Sequence, residues 1–172
     1  MAIVWIAYLI LPGIIANMSP VLFSKVNFLD YPVDFGKLIG GKRILGDNKT
    51  FRGLFFGVLF AVVTAFIMVW IPVNTIYKIS FSNFFIVGLL SGFGALVGDM
   101  IESFIKRMLN IAPGKALIPF DEIDHILGAL LSLSILFTIP LVPAVWVVVF
   151  AIPIHIIINM VGFKLKLRKN RL

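Results

Sequence analysis

Carboxylate and basic side chains are concentrated in one short stretch of a chain that is otherwise strongly apolar. The sequence of 172 residues contains eight acidic residues, and five of them fall between positions 98 and 124. The charged residues of this stretch are Asp99, Glu102, Asp121, Glu122 and Asp124, with Lys106, Arg107 and Lys115 among them. Long apolar runs flank the stretch, and charges at the edge of a membrane helix are costly to retain. The stretch is therefore the first candidate for a functional site.

The acidic residues are of the type that binds a hard cation. Asp99 lies two residues before the end of one apolar run, and Asp121 and Asp124 open the next helix. Consecutive membrane helices are antiparallel, so these groups lie at one membrane face and can converge. Oxygen ligands without Cys or His are typical of Mg²⁺, and neither His125 nor His155 has a partner at zinc-ligand spacing. We predict a Mg²⁺ site formed by Asp99, Asp121 and Asp124.

Two structural explanations compete with this metal site. Asp99, Glu102 and Lys106 share one helix face, so they can form an internal ion pair. Acidic residues at the start of a helix also compensate its dipole. The dipole accounts for one carboxylate well and for a set of three poorly.

Basic side chains on the same face indicate a phosphate-bearing substrate. Carboxylates that hold Mg²⁺, together with Lys or Arg that neutralise the remaining charge, form the usual site for a polyphosphate. A glycine-rich loop before the second helix can add backbone N–H groups, with a flexible basic loop on lipid as the alternative. The residues predicted to bind nucleotide or phosphate are Lys49, Thr50, Arg52, Glu102, Ser103, Lys106 and Arg107. Lys106 is also predicted to be catalytic, together with the three aspartates.

Composition predicts an all-α protein that crosses the membrane several times. Apolar residues make up 60% of the chain and its mean hydropathy is +1.08, whereas soluble domains are roughly half apolar. About 20 apolar residues cross the hydrocarbon core. We predict one membrane domain over residues 1–172, with two cytoplasmic loops that form the active site. Its helices are expected at 3–23, 53–71, 84–101, 124–142 and 144–163, its loops at 24–52 and 102–123, and a basic tail at 164–172.

The basic residues predict the orientation of the chain. The two long loops and the tail carry 14 of the 15 lysines and arginines, and the other side carries only Lys78. Basic residues favour the cytoplasmic side, so we expect the N-terminus outside the cell membrane and the C-terminus in the cytoplasm. The net charge of +7 suits anionic lipid headgroups, and no nucleic-acid-binding module accompanies it.

The charged loops resemble those of a known enzyme family. Its C-terminal signature is similar to Gly98-Asp99-x-x-Glu102-Ser103-x-x-Lys106-Arg107, followed by Leu117-Ile118-Pro119 and Asp121-x-x-Asp124. The family is that of the CDP-diglyceride synthases, or phosphatidate cytidylyltransferases, whose other cytoplasmic motif resembles Asn48-Lys49-Thr50-x-Arg52-Gly53. The bacterial enzymes carry His-Gly-Gly before the paired acids, where this chain has Pro119-Phe120. The five-helix length resembles the archaeal branch, the CDP-archaeol synthases.

The resemblance implies transfer of CMP from CTP to 2,3-bis-geranylgeranylglyceryl phosphate, with Mg²⁺ and release of pyrophosphate. It implies CTP, the phosphorylated lipid and the bilayer as partners, and leaves open whether the chain forms a homo-oligomer. A phosphatidate cytidylyltransferase that acts on ester lipids is one alternative. A small ion-coupled transporter is another, although transporter sites usually lie near the midplane on interrupted helices. A membrane scaffold is the third.

Overall fold

The structure is a computed structural model. The part of the chain that it describes contains five α-helices and one short β-hairpin, joined by loops. This part comprises residues 1–71, 83–112, 115 and 117–164, without the side chains at 158, 159 and 161–164. The elements are α1 (Ala2–Leu22), β1 (Leu38–Ile39), β2 (Lys42–Arg43), α2 (Phe51–Val69), α3 (Phe84–Met108), α4 (Phe120–Leu133) and α5 (Leu141–Lys164). The predicted all-α architecture is confirmed.

Three of these helices, α1, α2 and α3, are long and apolar enough to cross a membrane. The helix α5 contributes a shorter apolar stretch at Leu141–Ile157, and α4 has only 14 residues. The helix α3 continues past the predicted end at 101, because its last turns bury Glu102 and Lys106. The helix α4 ends well before the predicted 142. That α4 and α5 also cross the bilayer stays a prediction.

The helix α3 is central and packs against α1, α2 and α4 through small residues. The N–H of Gly13 in α1 donates to Ser91 Oγ of α3 at 2.9 Å. A Cβ on Gly92 would lie 2.3 Å from the Cβ of Ala61 in α2. Helices in lipid associate through close packing of this kind, because the surrounding chains are as apolar as the helices themselves.

The closest approach joins α3 to α4. A Cβ on Gly98 would lie 2.2 Å from the backbone oxygen of Asp124, and one on Gly128 would lie 2.1 Å from that of Gly94. Real Cβ atoms do not come so near to a backbone oxygen, so only glycine permits this crossing. Since Asp99 follows Gly98 directly, the crossing brings Asp99 close to Asp124.

The loop between α1 and α2 is folded and lies against α3. Its two ends run side by side, with the Val33 N–H donating to the Lys49 oxygen at 2.7 Å. Gly40 and Gly41, with φ of 57° and 78°, form the two-residue turn between β1 and β2, a position that requires positive φ. Lys42 Nζ donates to the Met108 carbonyl at 2.8 Å and so caps the C-terminus of α3.

Candidate metal and phosphate site

Three carboxylates converge where α3 crosses α4. One oxygen from each of Asp99, Glu102 and Asp124 lies within 4.8 Å of the other two. Glu102 is buried and the two aspartates are partly buried. Oxygens bound to one hard divalent cation at about 2.1–2.5 Å lie within about 5 Å of each other, so the three residues fit such an ion. A cation would also offset the repulsion between their charges.

Asp121 is engaged away from these three oxygens. Its Oδ2 accepts from Lys106 Nζ at 2.7 Å, and its Oδ1 accepts from the N–H of Leu117 at 3.0 Å. The group of three therefore contains Glu102 in the position predicted for Asp121. The spacing of Asp99 and Glu102, three residues apart on one helix, is the signal that could have identified this member. A metal role for Asp121 stays a prediction.

Lys106 links the two helices at the site. Its Nζ lies 2.7 Å from Glu102 Oε1 as well as 2.7 Å from Asp121 Oδ2, and the side chain is buried. Of the internal ion pair considered among Asp99, Glu102 and Lys106, the contact between Glu102 and Lys106 is present, whereas Asp99 pairs with Lys49. A buried ammonium that contacts two carboxylates holds both in place, so Lys106 fixes the position of Glu102 beside Asp99 and Asp124.

His125 holds Asp124 in the orientation seen here. Its backbone N–H donates to Asp124 Oδ1 at 2.6 Å, and its ring Nδ1 lies 2.8 Å from the same oxygen. The ring is 3% exposed, and its centroid lies 5.3 Å from that of His155. Partners of this kind orient metal-binding groups. Sequence reasoning considered His125 only as a zinc ligand and missed this role, because adjacency along the chain gives no signal for it.

Of the residues predicted in the first loop, Lys49 reaches the acidic group directly. Its Nζ forms an ion pair with Asp99 Oδ2 at 2.5 Å. Thr50 instead caps α2, with its Oγ1 accepting from the N–H of Gly53 at 3.2 Å. A threonine at this position satisfies one of the free N–H groups at a helix start.

Arg52 is occupied within the loop. Its Nη1 donates to the Val26 carbonyl at 2.7 Å, and its Nη2 lies 2.8 Å from Asp30 Oδ1. The side chain is 10% exposed. Arg52 therefore stabilises the loop in the arrangement that brings Lys49 to Asp99.

Arg107 has a donor available. Within the part of the chain that the structure describes, its buried Nε has no hydrogen-bond partner. A buried donor without a partner costs roughly 1–3 kcal/mol, which a phosphate oxygen would recover. Ser103, another predicted phosphate ligand, is buried on α3 next to Glu102.

A second buried carboxylate, Asp34, organises the first loop. It accepts from the N–H groups of Gly36, Leu45 and Gly46 at 3.0, 2.9 and 3.1 Å, and from Arg43 Nη2 at 2.9 Å. Burial alone would raise the pKa of this carboxyl, but the Arg43 and backbone hydrogen bonds outweigh it and hold the pKa of Asp34 well below its usual range. Sequence reasoning missed Asp34, because its partners come together only in the folded loop.

The chain is similar to archaeal proteins of one family over nearly its whole length. Residues 1–171 match the family model described as CarS-like, CDP-archaeol synthase. The CDP-archaeol synthase of Thermofilum pendens is 35% identical over 92% of this chain and 76% of its own length. That of Methanocaldococcus jannaschii is 33% identical over 92% and 91%, and that of Pyrococcus furiosus is 38% identical over 91% and 90%.

One solved structure has the same fold. It belongs to an intramembrane enzyme for archaeal membrane lipid biosynthesis and is 31% identical in sequence. The TM-score is 0.74, and the match covers 89% of this chain and 91% of that one.

Proposed function

This chain belongs to the CarS-like family of CDP-archaeol synthases, and we propose that its Asp99, Glu102 and Asp124 hold Mg²⁺ for the family's reaction. That reaction is CTP-dependent transfer of a cytidylyl group to an archaeal lipid phosphate. Membership favours it over transfer to ester lipids and over ion-coupled transport. The observation that carries the metal proposal is the convergence of three carboxylate oxygens within 4.8 Å.

The chemistry requires little acid–base assistance from the protein. An oxygen of the lipid phosphate attacks the α-phosphorus of CTP, a new P–O bond forms, and the bond to the leaving pyrophosphate breaks. Because the attacking oxygen is already anionic near pH 7, no side chain has to remove a proton. The difficulty lies in bringing together two highly charged partners, so catalysis consists mainly of positioning and charge neutralisation.

The basic residues have different roles in this positioning and charge neutralisation. Mg²⁺, when bound, would neutralise phosphate charge and polarise the phosphoryl oxygens. Arg107 offers its unpaired Nε to a phosphate oxygen, and Lys49 brings a positive charge beside Asp99. Lys106 acts as a positioning residue, since two carboxylates already satisfy its ammonium. Phosphate binding by Thr50, Arg52 and Ser103 stays a prediction.

The site faces the cytoplasm in this proposal. CTP is supplied there, and the charge asymmetry of the sequence favours that side for both long loops. The N-terminus is then outside the cell membrane and the C-terminus inside. The lipid substrate is 2,3-bis-geranylgeranylglyceryl phosphate, with its chains in the bilayer and its phosphate at the acidic group.

Labelled CTP tests the function and the orientation together. Sealed vesicles containing the protein are incubated with external CTP, Mg²⁺ and either an ether-linked isoprenoid or an ester-linked glyceryl phosphate. We expect a labelled liponucleotide from the ether lipid in inside-out vesicles only, because CTP does not cross the bilayer. Product in right-side-out vesicles would contradict the orientation, and no product in any vesicle would contradict the function.

A matched pair of variants tests the carboxylates in the same assay. We expect Asp124→Asn to lower turnover at least about 100-fold, the usual scale for loss of one electrostatic contact to the transition state. Asp47→Asn removes an exposed carboxylate from the loop and should retain turnover. Normal turnover in Asp124→Asn would refute the role of that residue.

A further inference from the structure

The first loop contains a segment, residues 25–31, that is fixed to α2 and yet exposes apolar side chains. The N–H groups of Phe51 and Arg52, at the start of α2, donate to the Tyr31 and Leu29 oxygens at 3.0 and 2.8 Å. The exposed apolar side chains of the segment are Val26, Phe28, Leu29 and Tyr31. Because the backbone is tied to α2, these side chains are held on an outer surface of the protein.

The contacts of segment 25–31 with α2 indicate its depth in the membrane. The helix α2 is long and apolar enough to cross a bilayer, and its length of about 28 Å is close to the roughly 30 Å of the hydrocarbon core. Phe51 then lies at one edge of the hydrocarbon, and Phe55 lies about 6 Å further in. The ring of Phe28 packs edge-on against that of Phe55, with centroids 5.5 Å apart. Phe28 is therefore level with the first turns of a membrane helix.

The charged groups of segment 25–31 also suit a membrane surface. Its single carboxylate, Asp30, pairs with Arg52 at 2.8 Å, so this negative charge is compensated. Lys25 is exposed at the start of the segment. A lysine there can keep its methylene groups in apolar surroundings and extend its ammonium to the headgroups, and anionic headgroups attract such a charge.

We propose that segment 25–31 is a membrane anchor, with Phe28 and Tyr31 in the interfacial region of the bilayer and Lys25 at anionic headgroups. Tyrosine is enriched at that level of the membrane, because its ring is apolar and its hydroxyl is polar. The exposed surface of α2 at Phe55 continues the apolar patch into the hydrocarbon, which favours lipid as the occupant. The alternative occupant is a protein, either a second copy of this chain or a different one.

The anchor supports the part of the loop that reaches the acidic group. Two residues after Tyr31, the Val33 N–H donates to the Lys49 oxygen at 2.7 Å, and Lys49 pairs with Asp99. The bilayer thus helps to fix the loop that carries Lys49. The anchor depends on the position of α2 in the membrane and not on a metal ion.

Spin labels on single cysteines test this placement. The chain contains no cysteine, so each variant carries one label. Phe28→Cys and Tyr31→Cys probe the segment, Asp47→Cys probes an exposed position of the same loop, and Leu59→Cys probes an exposed position further along α2. The labelled full-length protein is placed in bilayers that contain anionic lipid. Electron paramagnetic resonance then measures collisions of each label with oxygen, which concentrates in the bilayer, and with a neutral, water-soluble nickel chelate.

We expect the labels at Phe28 and Tyr31 to collide more often with oxygen, and less often with the nickel chelate, than the label at Asp47. Both should be shallower than the label at Leu59. Tyr31 is 66% exposed, so its variant keeps the test valid if Phe28→Cys fails to fold. Nickel collisions as frequent as those at Asp47 would overturn the proposal. Labels that are immobilised and shielded from both reagents would identify a protein contact and would also overturn it.

A charge reversal tests the contact of Lys25 with the headgroups. We expect Lys25→Glu to increase the nickel collisions of the Tyr31 label in anionic bilayers but not in zwitterionic ones, because like charges repel. Lys115→Glu changes an exposed cation in the connection between α3 and α4 and should leave these collisions unchanged. The same result for Lys25→Glu in both kinds of bilayer would overturn the headgroup contact.

Discussion

The acidic residues at the ends of α3 and α4 differ in their partners, and the partners separate their roles. Asp99 meets Lys49 from the first loop, and Asp124 is held by His125. Asp121 accepts a hydrogen bond from Lys106 at one carboxylate oxygen and from a backbone N–H at the other. A carboxylate with both oxygens occupied is less free to bind a metal ion, which is why we assign the ion to Asp99, Glu102 and Asp124.

Arg107 provides a test at the scale of a single residue. Replacing it with Gln removes the charge and the donor assigned to a phosphate, and charge-assisted hydrogen bonds contribute about 1.5–3 kcal/mol. We expect Arg107→Gln to raise the KM for CTP roughly 10- to 100-fold, the equivalent of that energy. Steady-state kinetics with varied CTP measures the change.

The control for Arg107 is Lys115→Gln, which removes an exposed cation from the connection between α3 and α4. This variant should have wild-type kinetics. Arg107→Lys keeps the charge but not the planar donor arrangement, so it should recover only part of the affinity. Unchanged kinetic constants in Arg107→Gln would exclude the phosphate contact.

The types of residue in the site were predictable from the sequence, but their pairings were not. Asp99 and Asp124 followed from their positions at neighbouring helix ends. Glu102 was predicted near the phosphates, and its place beside the two aspartates depends on the rotation of α3 against α4. Asp34 and His125 act through contacts that neither periodicity nor spacing encodes.

At the scale of elements, the first loop places Lys49 against α3, and Asp34 stabilises the fold of that loop. The three N–H groups that donate to Asp34 belong to residues before and after the β-hairpin. The Lys49 carbonyl pairs with the Val33 N–H next to Asp34. Loss of the Asp34 charge should therefore loosen the segment that carries Lys49.

Hydrogen exchange tests the role of Asp34. We expect Asp34→Asn to weaken the loop by about 2 kcal/mol at pH 7, the order of one charge-assisted hydrogen bond. The amides of Leu45 and Gly46 should then exchange roughly 30-fold faster. Asp47→Asn, which alters an exposed partner of the same Arg43, is the control. Equal protection of these amides in Asp34→Asn and in the wild-type protein would contradict the stabilising role of Asp34.

The hydrogen exchange of the Leu45 and Gly46 amides should also depend on pH in the wild-type protein. Because folding lowers the pKa of Asp34, its contribution to stability is fully present above the unfolded pKa of about 3.9. It is lost as pH falls below that value toward the folded pKa. After correction for intrinsic exchange, protection should be constant from pH 5 to 8 and should fall in stronger acid, whereas the Asp34→Asn loop should show no such loss.

Helix existence was predictable from apolar runs, whereas helix ends depended on tertiary contacts. Hydropathy placed the end of α3 at 101, but Glu102, Ser103 and Lys106 remain helical and buried. The end of α4 was hidden in an apolar stretch, because the turn after Leu133 contains Ile135, Leu136 and Phe137. Glycine at 98 and 128 then sets how closely the two helices approach.

At the scale of the whole molecule, the fold brings the acidic group next to the basic loop that carries Lys49. The helix α3 contributes Asp99 and Glu102, α4 contributes Asp124, and the loop between α1 and α2 contributes Lys49. In the proposed function, a lipid phosphate meets a soluble nucleotide at this group without leaving the bilayer. This arrangement joins the membrane-embedded fold to the cytidylyl transfer of its family.

Binding of Mn²⁺ to the purified protein, followed by electron paramagnetic resonance, tests the central claim most directly. We expect wild type and Asp47→Asn to bind Mn²⁺ in competition with Mg²⁺. Glu102→Gln and Asp124→Asn should bind it at least about tenfold more weakly, as expected when a metal site loses a supporting group. Wild-type Mn²⁺ affinity in both variants would contradict the assignment of a divalent ion to these carboxylates.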